Sequence, residues 1–523
     1  MSTGTEKKSS LVRSVGFVSG ATAVSRVFGL VREQVMAYYF GAGVATDAFV
    51  AAFRIPNLLR DMFAEGALSS AFVPVFKQKL VKDSKEQAFE LANIVTTAML
   101  IVVGFIVLVG LITAPLIVFV TANGFTADPV KFQLTVDMTR IMMVFLLLVS
   151  LSALVMGMLN SFERFTVPAL SPALFNIGTI ISVVAMYSLF DQPAYSLAIG
   201  VVVGGFLQLV VQFPVLFKTG YRFKLNFNLL HDGMKSILKL FTPMIIGLSA
   251  GRINILISTL WASFLVEGSL SYLNYSFRLM HFPLGVFAVA LGTVALPKVS
   301  ELVAKGDKEG LDKTFYQAIN FNFFIVIPAA IFLALLSHEI TQLTYQWGAF
   351  SESDTLNTAL ALRHYSYGLV GFAVVRVIVP FYYAFNDARL PMRISILTVV
   401  INILLYIPFV KMLDFAGLAA ATSVAGIFNA VALYTFLPSK GVDTQNPRVL
   451  LNLFRICVAA AMAVYLAKLI PTGYNLSDSV LLNRCLSMAV IFAVASVAYL
   501  VFCIIFQVQE ARKLVRIVFE KIF

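Results

Sequence analysis

The sequence predicts an all-α integral membrane protein of about fourteen transmembrane helices. It predicts two parallel six-helix repeats around a central cavity, followed by two extra C-terminal helices. Three features predict this fold, namely an apolar composition, apolar stretches of spanning length and basic residues in alternate loops. Hydrophobic residues make up 59% of the 523 residues and charged residues only 13%, whereas a soluble domain is about one quarter charged. Because a single soluble core stops growing at roughly 250–300 residues, this apolar excess is expected to face lipid.

Apolar stretches of spanning length recur along the whole chain. A spanning helix needs about 20 apolar residues, because lipid cannot satisfy the polar groups of the backbone. Polar breaks delimit the predicted spans at 14–39, 47–76, 88–120, 132–159, 166–190, 194–217, 236–262, 269–299, 314–337, 357–385, 392–412, 415–437, 449–470 and 484–508.

Basic residues follow every second predicted span as far as the twelfth. They are Lys77, Lys79, Lys82, Lys85, Arg164, Lys218, Arg222, Lys224, Lys298, Lys305, Lys308, Arg389, Arg393, Lys440 and Arg448. The intervening loops 41–46, 191–195 and 267–269 contain no lysine or arginine. The positive-inside rule then predicts cytoplasmic termini and an even number of spans. It also accounts for the net charge of +12 without a nucleic-acid partner.

The two ends of the chain carry basic residues in different settings. At the N-terminus, Lys7, Lys8 and Arg13 precede an apolar stretch without a small-residue cleavage site, which predicts a retained first helix rather than a signal peptide. At the C-terminus, residues 510–523 interleave basic and apolar side chains. This pattern predicts a short amphipathic helix on the inner membrane surface.

An internal repeat predicts the architecture. Segment 67–74 resembles segment 290–297, an offset of 223 positions from Ala67 to Ala290. The same offset relates Lys82, Lys85, Glu86, Phe162 and Pro168 to Lys305, Lys308, Glu309, Phe385 and Pro391. An even number of spans in each repeat predicts halves of one orientation, related by an axis along the membrane normal, with a cavity between them.

The predicted domain organisation follows from this repeat. Residues 1–225 form an N-lobe with spans one to six, and residues 226–445 form a C-lobe with spans seven to twelve. Residues 446–508 contain spans thirteen and fourteen, which lie outside the repeat, and 509–523 form the cytoplasmic amphipathic tail.

Charged residues inside the predicted spans are the candidate site. Each costs about 2.5–3.5 kcal/mol on insertion scales, and such residues are treated as functional by default. They are Arg26, Arg32 and Glu33 in the first span, Asp47, Arg54, Arg60, Asp61 and Glu65 in the second, Arg252 in the seventh, and Arg278 and His281 in the eighth. Several are seven positions apart and share a helical face, which predicts partial neutralisation within a helix or between neighbours.

Two interpretations of these charges remain open. They are structural ion pairs or arginines that extend to lipid headgroups, or they line a water-filled cavity. The central positions of Arg26, Arg252 and Arg278 favour the cavity, whereas Arg60 and Asp61 fit either interpretation. Arginine binds phosphate oxygens through two parallel hydrogen bonds, so the positive excess predicts an anionic substrate. Arg140 and Arg376 are also intramembrane, but their surroundings assign them no role.

Other function classes are less compatible with the sequence. It has no glycine-rich phosphate loop ending in Lys-Ser or Lys-Thr, and Cys457, Cys485 and Cys503 fit neither a metal site nor a disulfide framework. No metal or cofactor is therefore expected. An intramembrane transferase using Glu33, Asp47 or Glu65 as acid or base remains an alternative, and a cation-coupled drug exporter would need an acidic cavity. Prolines and glycines across 243–297 are consistent with close packing or with bending during alternating access.

Several ordered motifs resemble one known family. Residues 25–33, 41–43, 45–49, 56–60, 63–67, 71–74, 278–280 and 282–283 resemble the bacterial lipid II flippases (MurJ/MviN) of the multidrug/oligosaccharidyl-lipid/polysaccharide exporter superfamily. The resemblance implies that superfamily's fourteen-helix fold. It extends to the final spans and is weakest over 440–523.

The resemblance also implies particular site residues. The family's essential cavity arginines fall on Arg26, Arg32, Arg60 and Arg278, and its first-loop acidic residue falls on Asp47. Some relatives have an acidic residue where this chain has His281, so that position departs from the family pattern. The last two helices of the family are said to line a groove for the lipid tail.

The implied function is a lipid II flippase, not an enzyme, in peptidoglycan biosynthesis and the maintenance of cell shape. Alternating access would move the undecaprenyl-diphosphate-linked precursor from the inner to the outer leaflet of the bacterial cytoplasmic membrane, with both termini cytoplasmic. The membrane potential is the expected driving force, with the coupling ion unknown. Expected partners are lipid II, membrane lipids and cell-wall synthases. The alternatives are export of another polyprenyl-linked saccharide and the intramembrane transferase.

Overall fold

The computed structural model describes residues 3–62, 67–285, 289–444, 446–470 and 480–522. Within these ranges it leaves undescribed the side chains of 3–19, 67, 243, 245–252, 289–295, 515 and 517–522. Every regular secondary-structure element in the described ranges is a helix. Ten of these helices are long and apolar enough to cross a membrane. The predicted all-α membrane class is therefore confirmed, and the count of fourteen spans stays a prediction.

The chain forms two compact units, which we call unit 1 (Met1–Ser271 with Trp347–Phe350) and unit 2 (Tyr272–Gln346 with Ser351–Phe523). The predicted lobe boundaries follow the repeat rather than compactness, and they stay a prediction. Unit 1 contains helices α1 (Thr3–Phe40), α2 (Val44–Arg60), α3 (Ala67–Lys82), α4 (Lys85–Thr121), α5 (Pro129–Ser161), α6 (Thr166–Met186), α7 (Tyr195–Val210), α8 (Phe213–Lys218) and α9 (Asp232–Ser263), with a 3-10 turn at Asn123–Ala127.

Small residues allow the helices of unit 1 to pack closely. A Cβ atom on Gly204 of α7 would stand 2.4 Å from the carbonyl oxygen of Phe175 in α6, so only glycine permits this approach. In the 3-10 turn, a Cβ on Gly124 would stand 2.2 Å from the carbonyl oxygen of Ser263. The Gly124 amide also donates to Ser263 Oγ at 3.0 Å. These contacts hold α6 against α7 and the turn against the end of α9.

Most of α10 and all later helices belong to unit 2. They are α10 (Ser269–Pro283), α11 (Val289–Lys305), α12 (Lys308–Leu335), α13 (Ser337–Tyr345), α14 (Glu352–Ala384), α15 (Arg389–Leu413), α16 (Phe415–Phe436), α17 (Pro447–Lys468), α18 (Val480–Ile505) and α19 (Gln509–Ile522), with a 3-10 turn at Leu437–Lys440. The sequence predicts one span over 47–76 and one over 269–299. The structure describes α2 and α3 within the first range and α10 and α11 within the second, and residues 63–66 and 286–288 lie outside the described part of the chain.

The last membrane helices of unit 2 pack on α12. The hydroxyl of Tyr499 in α18 donates to the carbonyl oxygen of Phe324 in α12 at 2.7 Å. Tyr499 and Phe324 belong to one buried cluster with Ile456 and Ala460 of α17. The two spans that lie outside the sequence repeat therefore form a continuous core with the third helix of unit 2.

The helix boundaries repeat with the offset found in the sequence. Helices α3 and α5 end at Lys82 and Ser161, and helices α11 and α14 end at Lys305 and Ala384. Helices α4 and α6 begin at Lys85 and Thr166, and helices α12 and α15 begin at Lys308 and Arg389. Each matched pair of positions is 223 residues apart. Glu163 and Asn386, also 223 apart, both adopt a left-handed backbone, with φ of 60° and 55°. The repeat is thus present in the secondary structure and in its turns.

Candidate functional site

Arg32 is held on α1 by a neighbouring carboxylate and an aromatic ring. Its Nη2 atom donates to Oε1 of Glu33 at 2.7 Å. Its guanidinium lies 5.5 Å from the ring centroid of Phe175 in α6, within the range of a cation–π interaction. The Glu33 side chain is buried and the Arg32 side chain is 12% exposed. The helix thus presents a guanidinium whose orientation is fixed from two sides.

Arg26 lies six positions earlier on α1 and is exposed. The turn that carries it is anchored to α6, because Asn176 Nδ2 donates to the carbonyl oxygen of Ser25 at 3.2 Å. Asn176 follows Phe175, the residue under Arg32. One turn of α6 therefore positions both predicted arginines of the first span.

Helix α2 carries two more of the predicted arginines. Arg54 is partly buried, and Arg60, at the last position of α2, pairs with Asp61 at 3.2 Å. Pro56 lies inside the helix between them and removes one backbone hydrogen bond. The prediction for Glu65 lies outside the described residues.

Asp47 is the centre of a buried polar network in unit 1. Its Oδ2 atom accepts hydrogen bonds from Lys131 Nζ at 2.8 Å and from the Gly268 amide at 2.9 Å. Its Oδ1 atom accepts from the amide and the hydroxyl of Ser271 at 2.9 and 2.7 Å. Lys131 also lies 4.2 Å from the ring centroid of Phe125. The network joins α2 to α5 and to the residues where α10 begins.

These donors give Asp47 a positioning role. An ionised carboxylate has about four acceptor sites, and four protein donors already engage Asp47. Gly268 reaches it with φ of 88°, a conformation that favours glycine. The prediction that Asp47 contacts substrate stays a prediction, whereas its geometry holds three segments of unit 1 together.

The unit 2 part of the predicted site lies on α10. Arg278 is exposed and His281 is partly buried. The His281 ring packs on Phe277 with centroids 3.9 Å apart, and its Nδ1 atom is 3.1 Å from the Phe277 carbonyl oxygen. The charges of Arg278 and of Arg376 on α14 both act on His281. Arg376, to which the sequence assigned no role, is exposed on α14 and adds a positive charge near His281.

The predicted ion pairs differ in their partners. The sequence noted charges seven positions apart on one face, such as Asp47 with Arg54. The structure pairs Glu33 and Asp61 with adjacent arginines and Asp47 of α2 with Lys131 of α5, so neutralisation occurs both between sequence neighbours and between helices. The side chain of Arg252 lies outside the described residues.

The local sequence around Lys131 does not indicate that it contacts Asp47. It is 84 positions from Asp47 and directly precedes the predicted fourth span. A signal was available: this loop belongs to the side that the positive-inside rule predicts to be poor in lysine. For metal binding, the described part of the chain contains no group of three or more His, Cys, Asp or Glu side chains that could hold an ion.

Comparison with known proteins places this arrangement in a family. The family model described as "Lipid II flippase MurJ" matches residues 36–482. The chain belongs to the MurJ lipid II flippase family. The "Lipid II flippase MurJ" of Burkholderia cenocepacia is 34% identical over 441 residues, which cover 84% of this chain and 86% of that protein. The "Probable lipid II flippase MurJ" of Vibrio cholerae is 33% identical over 459 residues, covering 86% and 87%.

Solved structures agree with the MurJ assignment. "Lipid II flippase MurJ, inward closed conformation" matches with a TM-score of 0.77 and 26% identity, over 93% of this chain and 98% of that one. An inward-facing multidrug resistance MATE family transporter of the MOP superfamily matches with a TM-score of 0.64 over 80% and 94% of the chains. Its identity of 13% shows a shared fold only. The protein is thus a multi-pass membrane protein of a transporter family and not an enzyme.

Proposed function

We propose that this protein moves lipid II, the undecaprenyl-diphosphate-linked peptidoglycan precursor, from the inner to the outer leaflet of the bacterial cytoplasmic membrane. The match to the MurJ family over residues 36–482 carries this proposal. The names of relatives about one third identical over most of their length support it. The cell-wall synthases that consume lipid II in the outer leaflet are the expected protein partners.

The substrate diphosphate binds to arginines of a cationic cavity. In unit 1, the acidic side chains Glu33, Asp47 and Asp61 are matched by Arg32, Lys131 and Arg60. By formal charge, the described side chains of α1 and α2 include four arginines, at 26, 32, 54 and 60, against the two acidic residues Glu33 and Asp47, which gives these helices a net positive charge. In unit 2, Arg278 and Arg376 supply further positive charge around His281. Guanidinium groups bind the two phosphates of the substrate through parallel hydrogen bonds.

The polyprenyl tail of the substrate stays in the hydrocarbon along α17 and α18. Both helices expose large apolar side chains, among them Leu450, Phe454, Phe492 and Val497. Because lipid is as apolar as these side chains, a polyprenyl chain can lie along them without desolvating polar groups. Only the headgroup then has to pass through the protein.

Transport proceeds by alternating access, with both termini cytoplasmic. Inward-facing and outward-facing transporters of the same fold support two access states. The membrane potential, negative inside, drives the step. The free energy of an anionic headgroup falls by about 2.3 kcal/mol per charge per 100 mV when it moves outward. The proposal assigns no cofactor and no coupling ion.

Reconstitution of the purified chain in vesicles tests this function. Fluorescent lipid II is placed in both leaflets, a membrane-impermeant quencher is added, and the rate of loss of the protected fluorescence is measured. We expect rapid loss with the unaltered chain, slow loss with Arg278→Ala, and unaltered loss with Arg393→Ala, an exposed control on α15. Flipping of another polyprenyl-linked saccharide but not lipid II would establish the alternative exporter. Chemical conversion of the lipid would establish an intramembrane transferase.

A further inference from the structure

Unit 1 contains an apolar cavity that the proposed function does not use. The cavity has a volume of about 200 Å³ and is lined by residues of α4, α5, α7 and α8 and by the segment after α8. Its floor is buried, with Leu154, Met158 and Leu216 each 1% exposed. One water needs only about 15 Å³ by the same kind of measure, and apolar cavities of this kind stay dry. Hydrocarbon is therefore the fitting occupant.

The rim of this cavity is exposed and aromatic. Phe217 and Phe223 line the cavity and are 45% and 44% exposed. The helices α4 and α5 that form its walls are two of the candidate membrane spans. In the bilayer, an exposed aromatic rim beside α4, which exposes Val102 and Phe105, gives a lipid chain access to the cavity.

The segment that closes the cavity is fixed to α4 by polar side chains. Residues 221–228 have no helical structure, and the amides of Lys224 and Asn226 donate to Asn93 Oδ1 and Thr97 Oγ1, both at 3.1 Å. The Tyr221 hydroxyl also donates to Asn93 Oδ1, at 2.8 Å. Asn93 and Thr97 are about one turn apart on α4, and Lys224 and Asn226 are two residues apart in a non-helical segment. Both spacings correspond to about 6 Å along the chain, so the segment runs alongside α4 in register. These bonds explain the polar residues Asn93 and Thr97 in an apolar helix.

Basic residues stand at the mouth of the cavity. Residues 218–231 contain Lys218, Arg222 and Lys224 and no acidic residue, and all three side chains are exposed. The guanidinium of Arg222 lies 5.6 Å from the ring centroid of Phe217, a rim residue. The first turns of α4 carry Glu86 and Glu90, but the α4 side chain that approaches the rim segment is basic, because Lys85 Nζ would lie 3.6 Å from a Cβ atom on Gly220. This end of unit 1 is the one that the positive-inside rule predicts to be cytoplasmic.

We propose that this cavity binds one acyl chain of an anionic phospholipid of the inner leaflet, with the phosphate on Arg222 and its basic neighbours. Apolar lining and adjacent basic groups complement the two ends of such a lipid. The site is distinct from the arginines of α1, α2 and α10. It does not depend on the proposed function.

Photo-crosslinking tests the site. The purified full-length chain is placed in nanodiscs that contain phosphatidylglycerol with a diazirine on its acyl chain, or phosphatidylethanolamine with the same chain. Labelled peptides are identified by mass spectrometry. We expect both probes to label peptides containing residues 96–100, 151–158 and 209–223, with the phosphatidylglycerol probe labelling them about fivefold more.

Two variants separate the headgroup from the chain. Arg222→Glu should lower labelling by phosphatidylglycerol to the phosphatidylethanolamine level, whereas Arg393→Glu on α15 should not change it. Leu100→Trp fills the cavity and should lower labelling by both probes. If that variant does not fold, the labelling of the unaltered chain and of Arg222→Glu by the two probes still tests the proposal. Labelling spread evenly over all lipid-facing helices, equal labelling by the two probes, or preferential labelling by a polyprenyl diphosphate probe would overturn the proposal.

Discussion

The ammonium group of Lys131 donates to the carboxylate of Asp47 at 2.8 Å, and the two side chains are only 9% and 2% exposed. This pair joins α5 to α2 across 84 positions of sequence. Removing one partner of a buried pair leaves an uncompensated charge. The resulting cost of about 3–5 kcal/mol makes such a pair a sensitive point of a fold.

Lys131→Met should therefore destabilise the protein. We expect a loss of about 3–5 kcal/mol and a clearly lower midpoint of thermal unfolding in detergent. Arg140→Met is the matched control, because Arg140 pairs with Asp137 where both side chains are at least 30% exposed, and such pairs contribute about 0.2–1 kcal/mol. Equal midpoints for the two variants would show that the Asp47 network does not stabilise unit 1.

A second buried polar group should hold the C-terminal helix in unit 2. Asn452 Nδ2 donates to Asn320 Oδ1 at 2.6 Å and to Glu510 Oε2 at 3.0 Å, which connects α12, α17 and the first turn of α19. Glu510→Ala should raise amide hydrogen exchange of 509–516, because it removes a buried acceptor worth about 1–3 kcal/mol. Arg512→Ala, at an exposed position on the same helix, should leave the exchange rates unchanged. Unaltered exchange in both variants would contradict this anchoring role.

The turn between α14 and α15 should be sensitive to pH. Lys440 Nζ donates to Asp387 Oδ2 at 2.7 Å, and this bond, with the amides of Leu390 and Arg389, lowers the pKa of Asp387. Because its folded-state pKa is lowered, Asp387 stabilises the fold at pH values above the ordinary aspartate pKa of about 3.9. This stabilisation is lost as the pH falls through the lowered, folded-state pKa.

Lys440→Ala measures that contribution. We expect its unfolding midpoint to lie below that of the unaltered chain at neutral pH, with the difference shrinking as the pH falls below about 4. Lys411→Ala is the control, since Lys411 is exposed near the other end of α15. A difference that is constant across pH would mean that charge on Asp387 is not the cause.

Close packing of α6 on α7 should support the arginines of α1. In Gly204→Val, the added Cβ atom would stand 2.4 Å from the carbonyl oxygen of Phe175. The ring of Phe175 lies under the guanidinium of Arg32. Overpacking of this kind costs about 1–3 kcal/mol, and we expect slower lipid II flipping in vesicles at matched protein content. Gly104→Val, at a position where an added Cβ atom would meet open space, should flip lipid II at the unaltered rate.

Sequence patterns predicted local features of the fold well. Hydropathy located the ten long apolar helices of the described residues, and the 223-residue offset found in the sequence recurs in the turns at Glu163 and Asn386. These features depend on neighbouring residues along the chain, which periodicity reports directly. The sequence also identifies Arg32 and Arg278 as candidate site residues, because a charged residue stands out in an apolar stretch.

Long-range contacts were not predictable in the same way. The bond from Lys131 to Asp47 spans 84 positions, and the bond from Lys224 to Asn93 spans 131. Neither leaves a local pattern, because each depends on how whole helices pack. The same holds for the apolar cavity behind Phe217, whose lining comes from four helices and one extended segment.

The accessibility of lipid II in cells whose only flippase is this protein tests the proposed function most directly. An externally added enzyme that cleaves lipid II reports the outer-leaflet pool, at matched expression, for the unaltered chain, Arg278→Ala and the control Arg393→Ala. We expect abundant cleavage with the unaltered chain and the control, and little with Arg278→Ala. Abundant cleavage with Arg278→Ala would contradict the arginine site, and absence of cleavage with the unaltered chain would contradict the proposed function itself.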